Sequence, residues 1–492
     1  MGGLGKTTLA KMVYNDRKVQ NHFELRMWHC VSENFGATAV VRSIIELATN
    51  GRCDLPDNIE LLRGKMQEVI GRKRFLLILD DVWNEEQQKW EDDLKPLVCS
   101  SIGGLGSMIV VTSRSRQVAS IMGTLPPHEL SCLSDHDSWE LFSKKASGKG
   151  VEEQEEFIAI GKLIVNKCKG LPLALNTMGG LMSSKHQIKE WEVIAESNMG
   201  GNNEVLSILK LSYMHLPSEM KQCFAFCAVF PKDYVMDKSR LESIDLVQKG
   251  ESVFNELVWR SFIQDVFYHS YDGIRCKIHD LMHDLAKNIT DECAFAEELI
   301  QQKASGNDVG VRHVQLSQLS LDESEQITRS LKKPSSLHTL LVELSLMDLK
   351  VKESKLTSLR AIRCEDPSVI RNNVINTTHL TYLDLSFSSM VRLPNSLCML
   401  KLTHIYLLRC DRLKRMPAKL GRLHNLCTLT KFVVNIGDGF GIEELKDLRQ
   451  LGNRLELYNL KKVKSGSKAN LHEKKNLTEL ALYWGFPFLK KM

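Results

Sequence analysis

Gly2-Gly3-Leu4-Gly5-Lys6-Thr7-Thr8 opens the chain, and its reading decides the first domain. Glycines let backbone N–H groups come close to a phosphate chain. A helix beginning just after them points its positive end at the same anion. Lys6 can reach β- and γ-phosphates, and the Thr7 hydroxyl can bind Mg²⁺. Gly3, Gly5, Lys6, Thr7 and Thr8 are therefore the phosphate-binding candidates. The full pattern G-x-x-x-x-G-K-[ST] puts its first glycine five residues before Gly5, ahead of Met1, and the strand that leads into such a loop would lie there too. Losing that central strand is expected to leave two unpaired edges and an open core. That is a severe burden for a domain whose stability is only ~5–15 kcal/mol.

Working outward, Thr7 to Asn15 reads as a helix and Phe23 to Val31 as a strand. Ala37 to Asn50 reads as a second helix. Arg74-Phe-Leu-Leu-Ile-Leu-Asp80 and Ser107-Met-Ile-Val-Val-Thr112 are continuous apolar runs. Such runs suit strands buried on both faces of a parallel sheet. Strands alternating with helices imply a doubly wound α/β fold. Asp80 and Asp81 end the first run, at the edge of the sheet where ligands bind in open α/β folds. Asp80 is placed to hold Mg²⁺ and Asp81 to orient an attacking water. Arg114 follows the next strand, where it could read a γ-phosphate.

Residues 131–300 are mostly helical. Phe157, Ile160, Ile164 and Cys168 share a helix face that Gly170-Leu-Pro172 terminates. Val205 to Leu216 and Lys277 to Ile289 repeat the amphipathic pattern. His279 and His283 lie four residues apart, near the H-E-x-x-H of zinc peptidases. The acid between them is Asp280, and no third ligand is apparent.

From about residue 310 apolar residues recur at offsets 0, +3 and +5. Copies stand at Val311/Val314/Leu316, Leu337/Leu340/Val342, Leu380/Leu383/Leu385, Leu402/Ile405/Leu407 and Leu477/Leu480/Leu482. Weaker copies stand at Leu356/Leu359/Ala361, Leu426/Leu429 and Gly452/Leu455/Leu457. The intervals of 19 to 26 residues match a leucine-rich repeat. A solenoid of this kind offers a long surface to a partner and has no catalytic pocket of its own. Tyr382, Asp384, His404, Tyr406, Glu479 and Tyr483 are expected to be exposed strand positions available for contact.

The composition is ordinary for a globular chain, with 43% hydrophobic and 25% charged residues. No apolar run approaches the ~18–20 residues of a membrane span. The 13 cysteines are scattered without any C-x-x-C, which favours a reducing compartment, and the expected location is cytoplasmic. The net charge of +5 hides an asymmetry. Residues 1–309 hold 35 Lys+Arg against 43 Asp+Glu, and residues 310–492 hold 30 against 17. The acidic half and the basic repeats are expected to dock on one another. The basic residues lack interleaved aromatics, so nucleic acid is not expected as the partner.

The order of motifs resembles the plant nucleotide-binding leucine-rich-repeat (NB-ARC LRR) disease-resistance proteins of the coiled-coil, non-TIR type. The likeness rests on Gly-Gly-Leu-Gly-Lys-Thr-Thr, on Lys73-Arg-Phe-Leu-Leu-Ile-Leu-Asp-Asp-Val-Trp83 and on Thr112-Ser-Arg114. It continues through Gly170-Leu-Pro-Leu173, Cys223-Phe-Ala-Phe-Cys-Ala-Val-Phe-Pro-Lys-Asp233 and Ile278-His-Asp280. The resemblance implies a P-loop domain at 1–130, a helical domain at 131–204, a winged-helix-like domain at 205–300 and repeats at 310–492. It implies a switch that is closed with ADP and opens on exchange for ATP, hydrolysing it slowly at most. By that resemblance Lys6, Thr7 and Thr8 hold phosphates and Mg²⁺, with Asp80 on the metal and Asp81 assisting hydrolysis. Arg114 senses the γ-phosphate, Pro172 packs near the base or ribose, and His279 touches the β-phosphate of ADP. The repeats would sense a pathogen effector or a guarded host protein, and activation would allow self-association. Asp237 to Leu246 is shorter than the family's corresponding winged-helix segment, and no coiled-coil domain precedes the loop. The expectation is thus a receptor cut at both ends. The other expectation, of a different class, is a nucleotide-independent decoy or scaffold that binds through its repeats. A related ATP-regulated transcription regulator is a further reading, but residues 205–297 show no Arg- or Lys-rich reading helix.

Overall fold

Phe75–Val82 (β2) is buried at seven of its eight residues and carries parallel neighbours on both edges. Leu25–Cys30 (β1) lies on one side and Met108–Ser113 (β3) on the other. The computed structural model describes residues 1–31, 36–83, 103–146, 155–197, 204–237, 250–269, 273–290, 292–295, 311–316, 337–342, 358–365 and 377–485, with isolated positions between 84 and 102. The chain divides into two compact units. One comprises Met1–Pro217, Asn255–Gln264 and Lys277–Leu285, and the other comprises the remainder.

In the first unit, successive residues of β2 serve opposite faces. Leu77 and Leu79 meet Val41, Ile44, Leu62 and Met66 from the helices Ala37–Thr49 and Ile59–Ile70. Leu76 and Ile78 meet Ala10 of helix α1 (Lys6–Asn15). That double burial explains the unbroken apolar run. β1 and β2 pair from Leu25↔Phe75 to Cys30↔Asp80, and β3 pairs with β2 from Leu76↔Met108 to Leu79↔Val111. The two unpaired edges expected inside the sheet from a lost central strand are therefore not found among the described residues. Backbone groups buried in a sheet must find partners, and β3 closes directly onto β2 and satisfies them.

The helices Asp135–Ala146, Glu155–Lys167, Pro172–Met182 and Ile188–Glu196 surround a second core. Trp191 sits at its centre, edge-on to Phe157 and Phe142. Gly180 lets the helix Pro172–Met182 meet the chain at Arg260, because a Cβ there would lie 2.7 Å from the Arg260 Cα. Asp237 alone of the shortened winged-helix segment is described; residues 238–249 lie outside the described residues.

Met236–Asp237 (β4), Gln264–His269 (β5) and Gly273–Lys277 (β6), which belong to the second unit apart from the end residues Gln264 and Lys277, form a small sheet in the order β4-β6-β5. A parallel ladder then runs through Cys293–Phe295 (β7), His313–Leu316 (β8), Thr339–Val342 (β9), Ala361–Cys364 (β10), Tyr382–Asp384 (β11), His404–Tyr406 (β12) and Thr428–Leu429 (β13). Each strand pairs with the next in sequence, as a solenoid requires. A further parallel sheet joins Lys431–Val433 (β14), Asn453–Tyr458 (β15) and Leu477–Leu482 (β16). Leucines at offsets 0, +3 and +5 fill one continuous core, including Leu380, Leu383, Leu385, Leu402, Ile405 and Leu407.

Three expectations about the repeats need correction. The copy near residue 360 uses Leu359, Ile362 and Cys364, and Ala361 lies instead with Tyr382 and Tyr406. Pairing of Ile362 with Leu340 and Leu383 sets this register, and a shift of one residue would invert every side chain. In the last copy, Leu480 and Leu482 are exposed. Tyr382, Asp384, His404 and Tyr406, expected to be exposed, are buried. The Tyr382 and Tyr406 rings lie 5.2 Å apart, and Asp384 pairs with Arg363 at 3.5 Å. Glu479 and Tyr483 are exposed.

Burial makes this half acid-sensitive. It pushes His404 down to about 4, and burial reinforced by His338 and Arg312 does the same to His313. Both values lie below the ~6.5 of an unfolded histidine. The unfolded chain thus binds more protons, and the stability these groups give is present above pH ~6.5 and lost as pH falls through about 4. The urea midpoint should drop between pH 7 and pH 4.5, and His404→Gln should shrink that drop. An identical pH dependence in the variant would refute the assignment.

Candidate functional site

The glycine loop is shaped by two left-handed residues, Gly3 at φ 77° and Gly5 at φ 91°. Gly5 caps α1, and a Cβ there would meet nothing within 4 Å. Gly5 thus sets no side chain before the helix, where an anion would approach the first N–H groups. Gly3 accepts a hydrogen bond from Leu173 N–H at 3.3 Å, and its absent Cβ would lie 3.0 Å from the Leu173 Cβ. The turn that starts the helix Pro172–Met182 therefore rests on the loop, with Pro172 at the first helical position. A Cβ on Gly2 would meet Leu281 at 3.0 Å and Arg114 at 3.5 Å.

Thr7 Oγ1 donates to Asp80 Oδ1 at 3.0 Å, and Thr112 Oγ1 donates to the same oxygen. Asp80 is buried at the end of β2. A buried carboxylate beside a threonine hydroxyl at a helix start is an all-oxygen donor pair that suits Mg²⁺. Thr8 is exposed on the first turn of α1. Lys6 Nζ donates to the Met1 carbonyl at 2.6 Å. Burial and the nearby Arg114 guanidinium lower the Lys6 pKa, against the pull of Asp81 and Asp80.

Asp81 stands in left-handed backbone at φ 53°, rare for a non-glycine residue. Its N–H donates at 2.9 Å to Thr112 Oγ1, the hydroxyl that also donates to Asp80. Asp81 Oδ2 accepts from Trp83 Nε1 at 3.0 Å and from Arg114 at 3.1 Å. Burial pushes the Asp81 carboxyl up, but hydrogen bonding with Asp280 and the Arg114 and Trp83 contacts win and hold it below the ordinary range.

Arg114 also donates to Asp280 Oδ2 and lies over the Trp83 ring, 4.4 Å from its centroid. Asp280 is buried in the first turn of the helix Asp280–Ile289, where a carboxylate faces the positive helix end. His279 precedes that helix, and its Nδ1 accepts from Leu281 N–H at 3.1 Å. The tie from Arg114 to Asp280 and the packing of Leu281 on Gly2 bring the His279 segment to the loop.

Gly3, Gly5, Lys6, Thr7, Asp80, Asp81 and Arg114 thus share one end of the β1–β3 sheet, with the Pro172 and His279 segments against it. Sequence reasoning passed over Thr112, although it lies in the quoted Thr112-Ser-Arg114 run, and over Asp280 as the partner of Arg114. A threonine closing the apolar run Ser107-Met-Ile-Val-Val-Thr112 was the available signal for the first. Nothing local signalled the second.

A phosphate loop, a strand-end acid bonded to its threonine and a basic residue after the next strand define a nucleotide-binding α/β domain. The chain matches the NB-ARC domain over residues 1–152, the disease resistance protein winged helix domain over residues 229–286 and the R13L1/DRL21 leucine-rich repeats over residues 442–488. It is homologous to plant disease resistance proteins. It is 36% identical to the "Putative disease resistance protein RGA1" of Solanum bulbocastanum, over 98% of this chain and 51% of that one. Identity reaches 43% with the disease resistance protein RGA2 of the same species, over 59% of this chain and 31% of that one. It is 28% with the disease resistance RPP8-like protein 3 of Arabidopsis thaliana, over 96% of this chain and 53% of that one. The chain spans about half the length of the relatives matched over nearly all of it. Among the described residues no helix is long and apolar enough to cross a membrane.

Proposed function

We propose that this chain is an ADP/ATP switch of plant innate immunity, located in the cytoplasm, with the repeats sensing a pathogen effector or a guarded host protein. The observation that carries the reading is the pairing of Arg114 with both Asp81 and Asp280 beside the open glycine loop. Lys6, Thr7 and Thr8 hold the phosphates, Thr7 and Asp80 hold Mg²⁺, and Pro172 packs by the base or ribose. The metal, when bound, neutralises phosphate charge. Asp81 orients a water, and any ATPase activity is slow at most. His279 contacts the β-phosphate of ADP and favours the closed state.

Arg114 is the differential element. It is neutralised by two carboxylates in this arrangement, and a γ-phosphate would compete for the same guanidinium. A ligand shifts a two-state equilibrium only by such a difference in affinity. Release of Asp280 frees the helix it begins, and the opened core self-associates. The acidic core and the basic repeats attract one another and restrain that opening.

The test is the nucleotide released by denaturing purified protein, identified by chromatography. Stoichiometric ADP supports the switch. An empty, monodisperse protein would overturn it in favour of the decoy or scaffold. Asp80→Ala should bind nucleotide with equal affinity in Mg²⁺ and in EDTA, whereas the parent chain should bind more tightly in Mg²⁺. A retained Mg²⁺ preference in Asp80→Ala would remove Asp80 from the metal site.

A further inference from the structure

Between Phe387 and Gly437 the repeats carry nine Lys and Arg against one acid, Asp411. All nine are exposed except Lys431. Soluble surfaces ordinarily intersperse both signs. Here the excess has a defined geometry. After β11 and β12 the chain turns through Phe387 and Arg409, both left-handed, at φ 66° and 54°. The turns bring successive rungs alongside each other a second time. Lys414 N–H donates to the Val391 carbonyl at 2.8 Å, and Leu393 N–H donates to the Arg415 carbonyl at 3.2 Å. Arg392 and Arg415 pair in parallel. Leu393 and Met416 turn inward and are buried, so Arg392 and Arg415 point outward and are exposed.

Two guanidinium side chains therefore start one rung apart, about 5 Å. Neither forms an ion pair among the described residues. Like charges placed opposite each other on neighbouring strands are destabilising, so an anion laid across both relieves a built-in repulsion. Arg415 lies over the Phe440 ring, 4.0 Å from its centroid, which restricts where it points. Asn435 Nδ2 donates to the Lys414 carbonyl at 2.7 Å and fixes the neighbouring Ile436 beside the same rung. Ile436 is 79% exposed and Val391 46%.

Cations and aliphatic groups thus alternate on one ridge. The geometry points to Arg392, Lys414 and Arg415, with Val391, Ile436 and Phe440, as a docking ridge for an acidic polypeptide segment whose carboxylates are interleaved with apolar side chains. Carboxylates meet guanidinium groups in a bidentate fork, and the aliphatic groups reward an apolar partner. A single-stranded nucleic acid is recognised by stacking on open aromatic faces, and the Phe440 ring is already covered by Arg415. The inference specifies the sensor half of the proposed function and is independent of the nucleotide half.

The test uses the full chain and fluorescence anisotropy with three labelled probes. They are a dodecapeptide alternating Glu with aliphatic residues, the same peptide with Ser at the aliphatic positions, and a twelve-nucleotide single-stranded DNA. The first should bind, weaken with salt and lose about tenfold in affinity in the Arg392→Ser/Arg415→Ser protein, since two ion pairs go together. A Lys461→Ser/Lys464→Ser protein should bind like the parent. The serine peptide should bind less tightly. Ile436→Ser should weaken the first probe and leave the serine peptide unchanged. The arginine variant removes exposed, mutually repelling charges, so its melting temperature should not fall. No binding, or equal loss in both charge variants, would overturn the proposal. Tighter binding of the DNA would reassign the ridge to polyanions. ADP content measured on the same samples separates failure here from failure of the switch.

Discussion

Lys6→Ala should leave purification without nucleotide and show affinity for ADP and ATP reduced by at least about 100-fold, a loss of ~3 kcal/mol. Lys6 is the only cation on the first turn of α1, and its ammonium reaches back along the loop to the Met1 carbonyl at 2.6 Å. Burial and Arg114 already lower its pKa, so the site holds a cation at some cost that a bound phosphate chain removes. Alanine keeps the helix and deletes the charged side chain with its bond to the Met1 carbonyl. The loop's backbone N–H groups remain, so some weak binding should persist at high concentration. Isothermal titration with ADP would check this. Undiminished binding by a folded Lys6→Ala protein would remove the glycine loop as the site.

Arg114→Ala should be strongly destabilising, costing ~3 kcal/mol, because it leaves the buried Asp280 and half-buried Asp81 carboxylates without their shared cation. The pH dependence distinguishes this from simple loss of packing. In the parent chain the Asp81 carboxyl is held below its unfolded value. It therefore contributes stability above that unfolded value, and the contribution fades as pH falls through the folded one. Without Arg114, burial would be opposed only by the Asp280 and Trp83 contacts, and the Asp81 carboxyl pKa would rise relative to the parent. The variant should therefore gain stability, relative to the parent, as pH falls from 7 toward 5. Thermal melts of both proteins across that range test the point, with Arg114→Lys as the variant that keeps the charge. A constant difference in stability at every pH would mean that Arg114 acts only by packing.

The two cases show different degrees of legibility. Lys6, Thr7 and Asp80 could be proposed as site candidates locally, because a phosphate loop needs glycines, a cation and a hydroxyl in a fixed order. Asp80 could be read from the apolar run before it, since a strand buried on both faces exposes chemistry only at its end. The partner of Arg114 could not be read, because Asp280 lies 166 residues away. Thr112 needed the β2–β3 pairing to be seen as the second donor to Asp80. The repeat ladder was legible as a period, but the copy around Leu359 was misplaced because leucines three residues apart fit two registers. Exposure of Tyr382 and Tyr406 was misjudged for a similar reason. Alternation tells which face a side chain takes and says nothing about what stacks beside it.

By itself, the sequence determined the glycine loop, the buried strands, the solenoid and its basic surface, because each is a short-range pattern of spacing and residue type. The tertiary structure alone decided that β3 closes onto β2, that Arg114 joins Asp81 to Asp280, and that Arg392 and Arg415 stand side by side. Those facts depend on which distant backbone edges satisfy one another's hydrogen bonds, and no local pattern encodes that choice.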